Sequence, residues 1–267
     1  MTGFPSVIRI ETTNACNGRC IICPHNDMQR PVHIMSNELF EKIVEECSGH
    51  KISEVHLHNF GEPLLDAGLE DRIKLVKKRC RAYTKIFTNG SLLTPDRTQK
   101  LLDSGIDEIK ISVDGATPDE YEKVRQPLKW QEVSDNIKGL LKARDAQKLR
   151  TKIFVTCCTG QSAVTLLDFQ IPFALGPKHN WGGQSDKCPP GRLVKCGRLW
   201  RTFTILVDGT VVRCHADVHG LCPLGNIHQQ TIEEVWNSKE YEQLRETHKR
   251  SEQLQLKLCC DCSQCRR

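Results

Sequence analysis

The sequence lacks any apolar run long enough to cross a membrane, the longest being short segments such as residues 205–207. Its first ten residues contain no apolar stretch of the length that a secretory signal needs. The formal net charge is only +5, and Lys and Arg are scattered among acidic residues, which gives no argument for nucleic-acid binding. Internal repeats and low-complexity segments are also absent. We therefore expect a cytoplasmic globular protein that binds neither membranes nor nucleic acids.

Cysteine, by contrast, is abundant, with 15 among the 267 residues. In a chain with no export signal, this number indicates metal ligands rather than a disulfide framework. Three cysteines lie within residues 16–23, and eight lie from residue 188 to the end. Between these groups lie only Cys47, Cys80, Cys157 and Cys158. We therefore expect two metal sites, one near each end of the chain.

Short β-branched segments alternate with amphipathic segments over the first 160 residues. Strands are predicted at residues 7–11, 54–58, 83–87, 108–113 and 152–156. Helices are predicted at 37–47, 69–80, 95–103 and 118–143, the last interrupted around Pro127, with Ser36 and Thr94 as N-caps of two of them. This alternation predicts an α/β protein with right-handed βαβ units and a parallel sheet. Ligand-binding loops in such sheets follow the carboxyl ends of the strands.

The pattern changes after residue 159. A long loop is expected at residues 176–191, followed by a β-hairpin at 202–213 that turns at Asp208-Gly209. A helix from 232 to about 250 precedes the last cysteines. We place a domain boundary near residue 180, with an α/β domain at residues 1–180 and a small second domain at 181–267.

The first cysteine group has a spacing that suits a catalytic cluster. Cys16, Cys20 and Cys23 form Cys-x3-Cys-x2-Cys directly after the first predicted strand. Three thiolates can hold three irons of a 4Fe–4S cluster and leave the fourth iron open, whereas most electron-transfer clusters use four cysteines. A zinc site, or three unrelated thiols, would have the same spacing, so the triplet alone leaves these alternatives open.

Three further loops follow predicted strands at the same edge of the sheet. They are Phe60-Gly61-Glu62-Pro63 after the second strand, Thr88-Asn89-Gly90 after the third, and Ser112-Val113-Asp114-Gly115 after the fourth. Gly61 allows the backbone to approach a ligand closely, and the Glu62 carboxylate can bind an ammonium group. Asn-Gly and Asp-Gly are often simple turns, so the evidence for one shared site is the position of each loop after its strand.

With these motifs, residues 7–160 resemble the radical S-adenosylmethionine (SAM) superfamily, whose fold is a partial (β/α) barrel open on one side. The resemblance implies that the cluster of the first three cysteines binds SAM at its open iron. Reductive cleavage of SAM would then give methionine and a 5′-deoxyadenosyl radical. The resemblance also implies six SAM contacts: Gly61 and Glu62 with the amino group, Asn89 and Ser112 with the ribose and carboxylate region, Arg125 with the carboxylate, and Ile22 with the adenine.

The second cysteine group contains enough cysteines to provide a ligand for every iron of a 4Fe–4S cluster. Cys196 and Cys214 flank the predicted hairpin, and Cys259 and Cys262 form a Cys-x2-Cys after the last predicted helix. Four such thiols fit a 4Fe–4S cluster, and they also fit a structural zinc site. Cys265 is an alternative ligand, because it has the same spacing from Cys262 that Cys262 has from Cys259.

The spacing in this region resembles the shortened (twitch) form of the SPASM auxiliary-cluster domain, as in aminocyclitol dehydrogenases. The gap between the hairpin cysteines and the gap from Trp236 to Cys259 carry the resemblance, together with Leu224-Gly225-Asn226-Ile227 before the helix. It implies an auxiliary 4Fe–4S cluster held by Cys196, Cys214, Cys259 and Cys262.

Four residues are candidates for proton or hydrogen-atom transfer. Cys157 and Cys158 end a predicted barrel strand, although buried strand cysteines most often only pack in the core. His56 and His58 share one face of a predicted strand, which we expect to point into the barrel. The segment 179–183 is expected where the barrel mouth meets the second domain, with Trp181 at the interface.

The resemblance implies an oxidoreductase, and we expect a small sugar- or cyclitol-like substrate. The radical would remove a C–H hydrogen, a base would take a proton, and the auxiliary cluster would accept the remaining electron. A flavodoxin or ferredoxin would reduce the first cluster. Peptide modification or epimerisation is the alternative, which we disfavour because fifteen residues before Cys16 leave no room for a leader-binding domain. An electron-transfer protein would need no SAM pocket.

Overall fold

The computed structural model describes residues 3–157, 172–175, 179–185 and 191–266. Within these ranges, the strands form one sheet in the order β6-β5-β4-β3-β2-β1-β7-β8-β9. The strands are β1 (Val7–Ile10), β2 (Glu54–His56), β3 (Tyr83–Thr88), β4 (Glu108–Ser112), β5 (Lys152–Cys157), β6 (Phe173–Leu175), β7 (Thr202–Ile205), β8 (Thr210–Val212) and β9 (Pro223–Asn226). The helices are α1 (Asn37–Ser48), α2 (Leu69–Arg79), α3 (Pro95–Asp103), α4 (Pro118–Val124), α5 (Trp130–Ala146), α6 (Ile232–Trp236) and α7 (Lys239–Lys249).

Strands β1 to β6 pair in parallel, and helices connect the first five of them. This confirms the predicted α/β fold with a partial (β/α) barrel. The predicted N-caps are also confirmed: the Ser36 hydroxyl accepts the Leu39 N–H at 3.2 Å, and the Thr94 hydroxyl accepts the Arg97 N–H at 3.3 Å. Each cap satisfies a backbone donor that the first helical turn leaves free.

The two faces of the parallel sheet differ in polarity. On one face, the side chains of β1 to β5 join the buried apolar core with the helices, for example Ile8, Val55, Ile86 and Ile109. On the other face, strand register places Arg9 beside His56, His56 beside Lys85, and Lys85 beside Glu108. Because successive strand residues point to opposite faces, this second face is the polar inner wall of the barrel.

The predicted hairpin is confirmed, and it extends the barrel sheet. Strand β7 pairs with β8 in antiparallel fashion, and β7 also pairs in parallel with β1. The sequence prediction missed β9, whose Pro223 and Gly225 are poor strand formers and which is held by pairing with β8. The domain boundary near residue 180 stays a prediction.

The single helix predicted from 232 to about 250 is wrong, because two helices occupy this region. The first, α6, ends at Trp236, and Asn237 and Ser238 follow it. The Ser238 hydroxyl then accepts the Tyr241 N–H at 3.2 Å and so begins α7 as an N-cap. A serine that bonds to the backbone in this way competes with helix continuation.

Among the described residues, every helix is either too short or too polar to span a lipid bilayer.

A candidate active site between two cysteine clusters

The loop that carries the first three cysteines is anchored on both sides by hydrogen bonds. Buried Asn14 accepts the His33 N–H at 2.7 Å and donates to the Pro31 carbonyl at 2.9 Å. On the other side, the Ile21 N–H donates to the Val124 carbonyl at 2.9 Å. The loop is therefore fixed at the carboxyl end of β1, where parallel sheets bind their ligands.

The three thiols have surroundings that fit an iron–sulfur cluster. Each is half-buried, and the Gly18 backbone lies close to two of them: a Cβ built on Gly18 would be in ordinary van der Waals contact with Sγ of Cys20 at 3.5 Å and Sγ of Cys16 at 3.8 Å. Burial raises the pKa of Cys16 to about 12 and of Cys23 to about 11. Thiolates here therefore need a cationic partner, which iron provides.

The Gly61-Glu62 loop packs directly on the cysteine loop. Gly61 has φ +98°, and a Cβ there would lie 2.6 Å from the Thr13 carbonyl oxygen and 2.8 Å from that of Ala15. The Glu62 N–H donates to the Ala15 carbonyl at 2.7 Å. Only glycine fits both this backbone conformation and this close approach, so the motif joins β2 to the cysteine loop.

The Glu62 carboxylate is buried and connects two strands. It accepts hydrogen bonds from the Thr88 hydroxyl at 2.7 Å, the Asn89 N–H at 2.7 Å and the Leu64 N–H at 3.1 Å. Burial raises its pKa, and among the described residues no cation lies within ion-pair distance of it. A carboxylate with three donors keeps acceptor capacity for one more, which suits a ligand ammonium.

Asn89 belongs to a polar network that the sequence prediction did not foresee. Its side chain donates to Oδ1 of the Asn17 side chain at 2.8 Å and accepts from the Ser91 hydroxyl at 2.7 Å. Asn17 in turn donates to the Ser91 hydroxyl at 2.9 Å. Asn17 lies between the first two cysteines, so the network fixes the loop after β3 against the cysteine loop.

The other predicted SAM contacts lie around the same opening. The Arg125 guanidinium is buried, is bound by the Asp114 carboxylate through Nε and Nη2, and has Nη1 3.9 Å from Sγ of Cys20. Ser112 is half-buried at the end of β4. Ile22 is half-buried, and its carbonyl accepts the Trp181 indole N–H at 3.1 Å.

The segment around Trp181 links the first cysteine group to the second. The Trp181 ring packs on Phe60 with centroids 5.4 Å apart. A Cβ on Gly182, at φ +68°, would lie 2.8 Å from the Leu258 carbonyl oxygen, beside Cys259. The Asn180 amide donates to the Asp261 carbonyl at 2.6 Å. The segment therefore contacts the cysteine loop and the Phe60 loop on one side and the cysteine-rich end on the other.

Of the predicted catalytic residues, His56 and His58 lie on the inner barrel wall, with stacked rings 5.6 Å apart. Both nitrogens of His56 have partners, Arg9 Nη2 at 3.2 Å and Glu54 Oε2 at 2.7 Å. Cys157 is fully buried in the apolar core, as most strand cysteines are. Cys158 lies outside the described residues.

Nδ1 of His58 differs from the nitrogens of His56, because it is buried and has no partner among the described residues. The His58 ring packs against the Phe87 ring, with centroids 4.7 Å apart. Burial, and then the charge of Arg9, lower the pKa of His58 well below its ordinary value, so the imidazole is neutral. A neutral imidazole keeps one unprotonated nitrogen, which can accept a proton.

The second cysteine group converges on one cavity. The thiols that line it are those of Cys196, Cys214, Cys259, Cys262 and Cys265. Cys265 lines the same cavity, and hydrogen bonding with it lowers the pKa of the Cys196, Cys259 and Cys262 thiols. Arg198, Arg213 and His248 also line the cavity. Clustered thiols beside cationic groups suit a negatively charged iron–sulfur cluster.

Comparison with known families agrees with this geometry. The model of the radical SAM superfamily matches residues 10–169, and the chain belongs to this superfamily. The model of the SPASM iron–sulfur cluster-binding domain matches residues 196–266. The protein is therefore a radical SAM enzyme that binds a 4Fe–4S cluster, SAM and an auxiliary 4Fe–4S cluster, as the sequence predicted.

Among curated proteins, the chain is 25% identical to the S-adenosyl-L-methionine-dependent 2-deoxy-scyllo-inosamine dehydrogenase of Niallia circulans, over 97% of this chain and 92% of that protein. This confirms the predicted likeness to aminocyclitol dehydrogenases. The chain is also 28% identical to the GTP 3′,8-cyclase of Clostridium perfringens, over 55% of this chain. That match spans only 46% of the cyclase.

Among solved structures, the chain resembles BtrN in complex with AdoMet and 2-DOIA, with a TM-score of 0.73 and 22% identity over 98% of this chain and 94% of that chain. It also resembles Streptococcus suis SuiB bound to the precursor peptide SuiA, with a TM-score of 0.72 and 13% identity over 98% of this chain and 70% of that chain. At these identities the likeness shows a shared fold.

We expect Glu62→Gln to weaken SAM binding by about 10- to 100-fold, because it removes a charged acceptor, and hydrogen bonds to charged groups contribute about 1.5–3 kcal/mol. Binding of SAM to the anaerobic holoenzyme by equilibrium dialysis measures the effect. Glu70→Gln is the matched control, since Glu70 is also buried but pairs with Arg97 at 2.8 Å on the outer helices. Equal SAM affinity of Glu62→Gln and the unchanged protein would contradict the assignment.

Cys265 lines the same cavity as Cys262, so it is the alternative ligand to test. We expect Cys262→Ser to keep the auxiliary cluster, because Cys265 is in contact with the remaining thiols, whereas Cys262→Ser combined with Cys265→Ser should lose it. Iron analysis should then fall from about eight to about four atoms per chain only in the double variant. Cys260→Ser is the control, since Cys260 does not line the cavity. Loss of the cluster in Cys262→Ser alone would show that Cys265 does not substitute.

Proposed function

We propose that this protein is a radical SAM dehydrogenase that oxidises a small sugar- or cyclitol-like molecule, with the auxiliary cluster as electron acceptor. One observation carries the proposal: a single segment connects the two cysteine groups. Trp181 donates to the Ile22 carbonyl beside Cys23, and His179 of the same segment contacts His215, with ring centroids 5.2 Å apart. Nδ1 of His215 lies 3.6 Å from Sγ of Cys214.

The whole-length likeness to a 2-deoxy-scyllo-inosamine dehydrogenase supports this choice of reaction. The part of this chain that aligns with the dehydrogenase contains both cysteine groups and the segment between them. The part that aligns with GTP 3′,8-cyclases is little more than half of this chain. A substrate bound in the barrel between the two groups would be within reach of both the radical and the electron acceptor.

We assign the cluster ligands and SAM contacts as follows. Cys16, Cys20 and Cys23 hold the SAM-binding cluster, and Cys196, Cys214, Cys259 and Cys262 hold the auxiliary cluster. SAM contacts come from Ile22, Gly61, Glu62, Asn89, Ser112 and Arg125. Glu62 offers its remaining acceptor capacity to the SAM ammonium, and Arg125, whose charge Asp114 partly neutralises, offers Nη1 to the carboxylate.

When bound, the clusters and SAM supply a 5′-deoxyadenosyl radical and an acceptor for one electron. The chain supplies the proton acceptor, and we assign this role to the neutral imidazole of His58, whose Nδ1 is unpartnered among the described residues. Removal of a hydrogen atom from a carbinol carbon, a proton from its hydroxyl and one electron converts the alcohol to a ketone. The buried barrel wall excludes water from the radical.

Turnover under anaerobic conditions tests the proposal. The reduced holoenzyme is given SAM and, one at a time, 2-deoxy-scyllo-inosamine and related cyclitols and sugars. A substrate should accelerate 5′-deoxyadenosine formation and yield one product molecule, two hydrogens lighter, per deoxyadenosine. In deuterated water, a product one mass unit heavier than the substrate would instead indicate an epimerase and contradict the dehydrogenase.

His58→Gln should reduce formation of the oxidised product by about 100-fold, as expected for loss of a general base. Formation of deoxyadenosine from SAM alone should be unchanged, because the ring contacts of His58 within the described part of the chain are with His56 and Phe87 and not with the predicted SAM residues. His50→Gln is the control, since His50 is exposed and stacks on Phe4 outside the barrel. An unchanged rate of product formation in His58→Gln would remove His58 from the mechanism.

The second candidate function is modification of a peptide, because a fold of this kind also occurs in SuiB bound to a precursor peptide. The same turnover assay is repeated with peptides in place of the small molecules. The candidate function is identified by which class of substrate, peptide or small molecule, is converted to a product of altered mass. For either reaction we propose that a flavodoxin or ferredoxin reduces the SAM-binding cluster, and that the enzyme works in the cytoplasm.

A further inference from the structure

His215 follows Cys214 directly, shortly after strand β8, and its ring lies beside the sulfur of that cysteine. Nδ1 of His215 is 3.6 Å from Sγ of Cys214. The Ala216 backbone N–H donates to the same sulfur at 3.4 Å. Cys214 lines the cavity of the second cysteine group, where we place the auxiliary cluster. A side-chain nitrogen and a backbone N–H are therefore both in contact with one proposed ligand sulfur.

The direction of the hydrogen bond between His215 and Cys214 follows from the charge on the sulfur. A cysteine that binds iron is a thiolate, which has no proton to donate and can only accept. Nδ1 of His215 therefore carries the proton of this bond, whether the ring is neutral or charged. A bare Nδ1 would instead place its lone pair against a negatively charged sulfur, which is unfavourable. His215 is thus the donor to the Cys214 thiolate.

The ring of His215 is held in position by the segment around Trp181. Its centroid lies 5.2 Å from that of His179 and 6.4 Å from that of Trp181, with the ring planes at 68° and 62°. The Gln184 side-chain amide, from the same segment, donates to the Ala216 carbonyl at 2.5 Å. Edge-to-face ring contacts favour one orientation of the ring. These contacts therefore keep Nδ1 beside the Cys214 sulfur.

We propose that His215 is a positioning residue that acts through Cys214: its hydrogen bond to the thiolate raises the reduction potential of the auxiliary cluster. Hydrogen bonds to ligand sulfurs are among the factors that set the potentials of iron–sulfur clusters. A cluster that has gained an electron carries one more negative charge than before. A donor to its ligand sulfur therefore stabilises the reduced form more than the oxidised form, because hydrogen bonds strengthen with the charge of the acceptor.

This inference rests on the proposed function and deepens it, because a raised potential favours transfer of the electron from the substrate radical to the auxiliary cluster. The same segment that holds the His215 ring also contacts the first cysteine group, since the Trp181 indole donates to the Ile22 carbonyl. The position of the donor is therefore linked to the loop that binds the first cluster. The competing explanation is that the His215 ring only fills the space between Cys214 and this segment.

The test is an anaerobic redox titration of the holoenzyme, followed by EPR spectroscopy, with variants that separate the donor from the ring. His215→Phe keeps an aromatic ring against His179 and Trp181 but has no donor, whereas His215→Asn offers an amide N–H in place of Nδ1. We expect His215→Phe to lower the equilibrium constant for one-electron reduction of the auxiliary cluster about tenfold, which corresponds to about 59 mV. His215→Asn should recover part of this loss.

Two controls belong to the same experiment. The SAM-binding cluster of each sample should keep its potential, and its signal is identified because added SAM binds at its open iron and changes its spectrum. His228→Phe is the matched variant, since His228 is an exposed histidine of the same part of the chain, beside Gly209 in the hairpin turn. It should leave both potentials unchanged.

An unchanged potential of the auxiliary cluster in His215→Phe would overturn the proposal. An equal shift in His215→Phe and His215→Asn would also overturn it, in favour of packing by the ring. Loss of the auxiliary cluster in both His215→Phe and His215→Leu would do the same, because His215 would then hold the cluster rather than adjust its potential. The titration needs no substrate, so its failure is distinct from failure of the dehydrogenase proposal, which deoxyadenosine and product yields report separately.

Discussion

Replacement of Cys16, Cys20 and Cys23 together with Ala is expected to abolish 5′-deoxyadenosine formation and to remove about half of the iron. The reconstituted protein should hold about eight irons and eight sulfides in two four-iron clusters, and the triple variant about four of each. The cause is the loss of every protein ligand to the cluster that binds SAM. Iron and sulfide analysis measures the cluster content, and mass spectrometry measures the 5′-deoxyadenosine formed.

A matched control is Cys47→Ala combined with Cys80→Ala. Cys47 packs in the apolar core, and the Cys80 thiol lies 3.7 Å from the Val44 carbonyl oxygen, so neither is near a proposed cluster. This variant should keep its full iron content, although it will be less stable, because each truncation removes a thiol from a packed site. A triple variant of the first group with the full iron load would show that these residues are not the ligands.

The second large effect is expected when the auxiliary cluster is removed while the SAM-binding cluster is kept. Cys262→Ser combined with Cys265→Ser should still cleave SAM yet give almost no oxidised product, because the substrate radical has no electron acceptor. Loss of activity alone would be ambiguous, since metal ligands from distant parts of the chain also help the domain to fold. The informative quantity is therefore the ratio of oxidised product to deoxyadenosine in protein that remains folded.

The single variant Cys260→Ser serves as the control and should keep the ratio near one product per deoxyadenosine. If a variant that spectroscopy shows to lack the auxiliary cluster keeps that ratio, the cluster is not the electron acceptor. Zinc instead of iron at this position in anaerobically purified protein would exclude the electron-acceptor role as well, because zinc has no redox chemistry.

The fold of residues 7–157 could be predicted well because its signals are local. Ser36 and Thr94 cap the predicted helices, and the glycine and polar motifs follow β2, β3 and β4 as expected. The hairpin followed from Asp208-Gly209 and its flanking apolar residues. Both cysteine groups were also visible in the sequence, because each contains closely spaced cysteines, Cys16-x3-Cys20-x2-Cys23 in the first and Cys259-x2-Cys262 in the second.

Features that depend on contacts between distant residues could not be predicted. Strand β9 forms because it pairs with β8. At Ser238 the chain could either continue the helix or end it with a side-chain cap for the next one, and sequence periodicity does not distinguish these two outcomes. Asn17 has no distinguishing pattern, and its role appears only when the loop after β3 lies against it. The position of Arg9 on the inner barrel wall could likewise not be predicted, because it depends on the strand register that places Arg9 beside His56.

The central claim is that the cluster of Cys16, Cys20 and Cys23 cleaves SAM reductively, and the most direct measurement needs no substrate. Fully reconstituted protein is reduced under anaerobic conditions and incubated with SAM, and methionine and 5′-deoxyadenosine are quantified. The account predicts slow formation of both in equal amounts, and none without the reductant. A complete absence of deoxyadenosine from protein with its full iron content and a demonstrably reduced cluster would contradict the account.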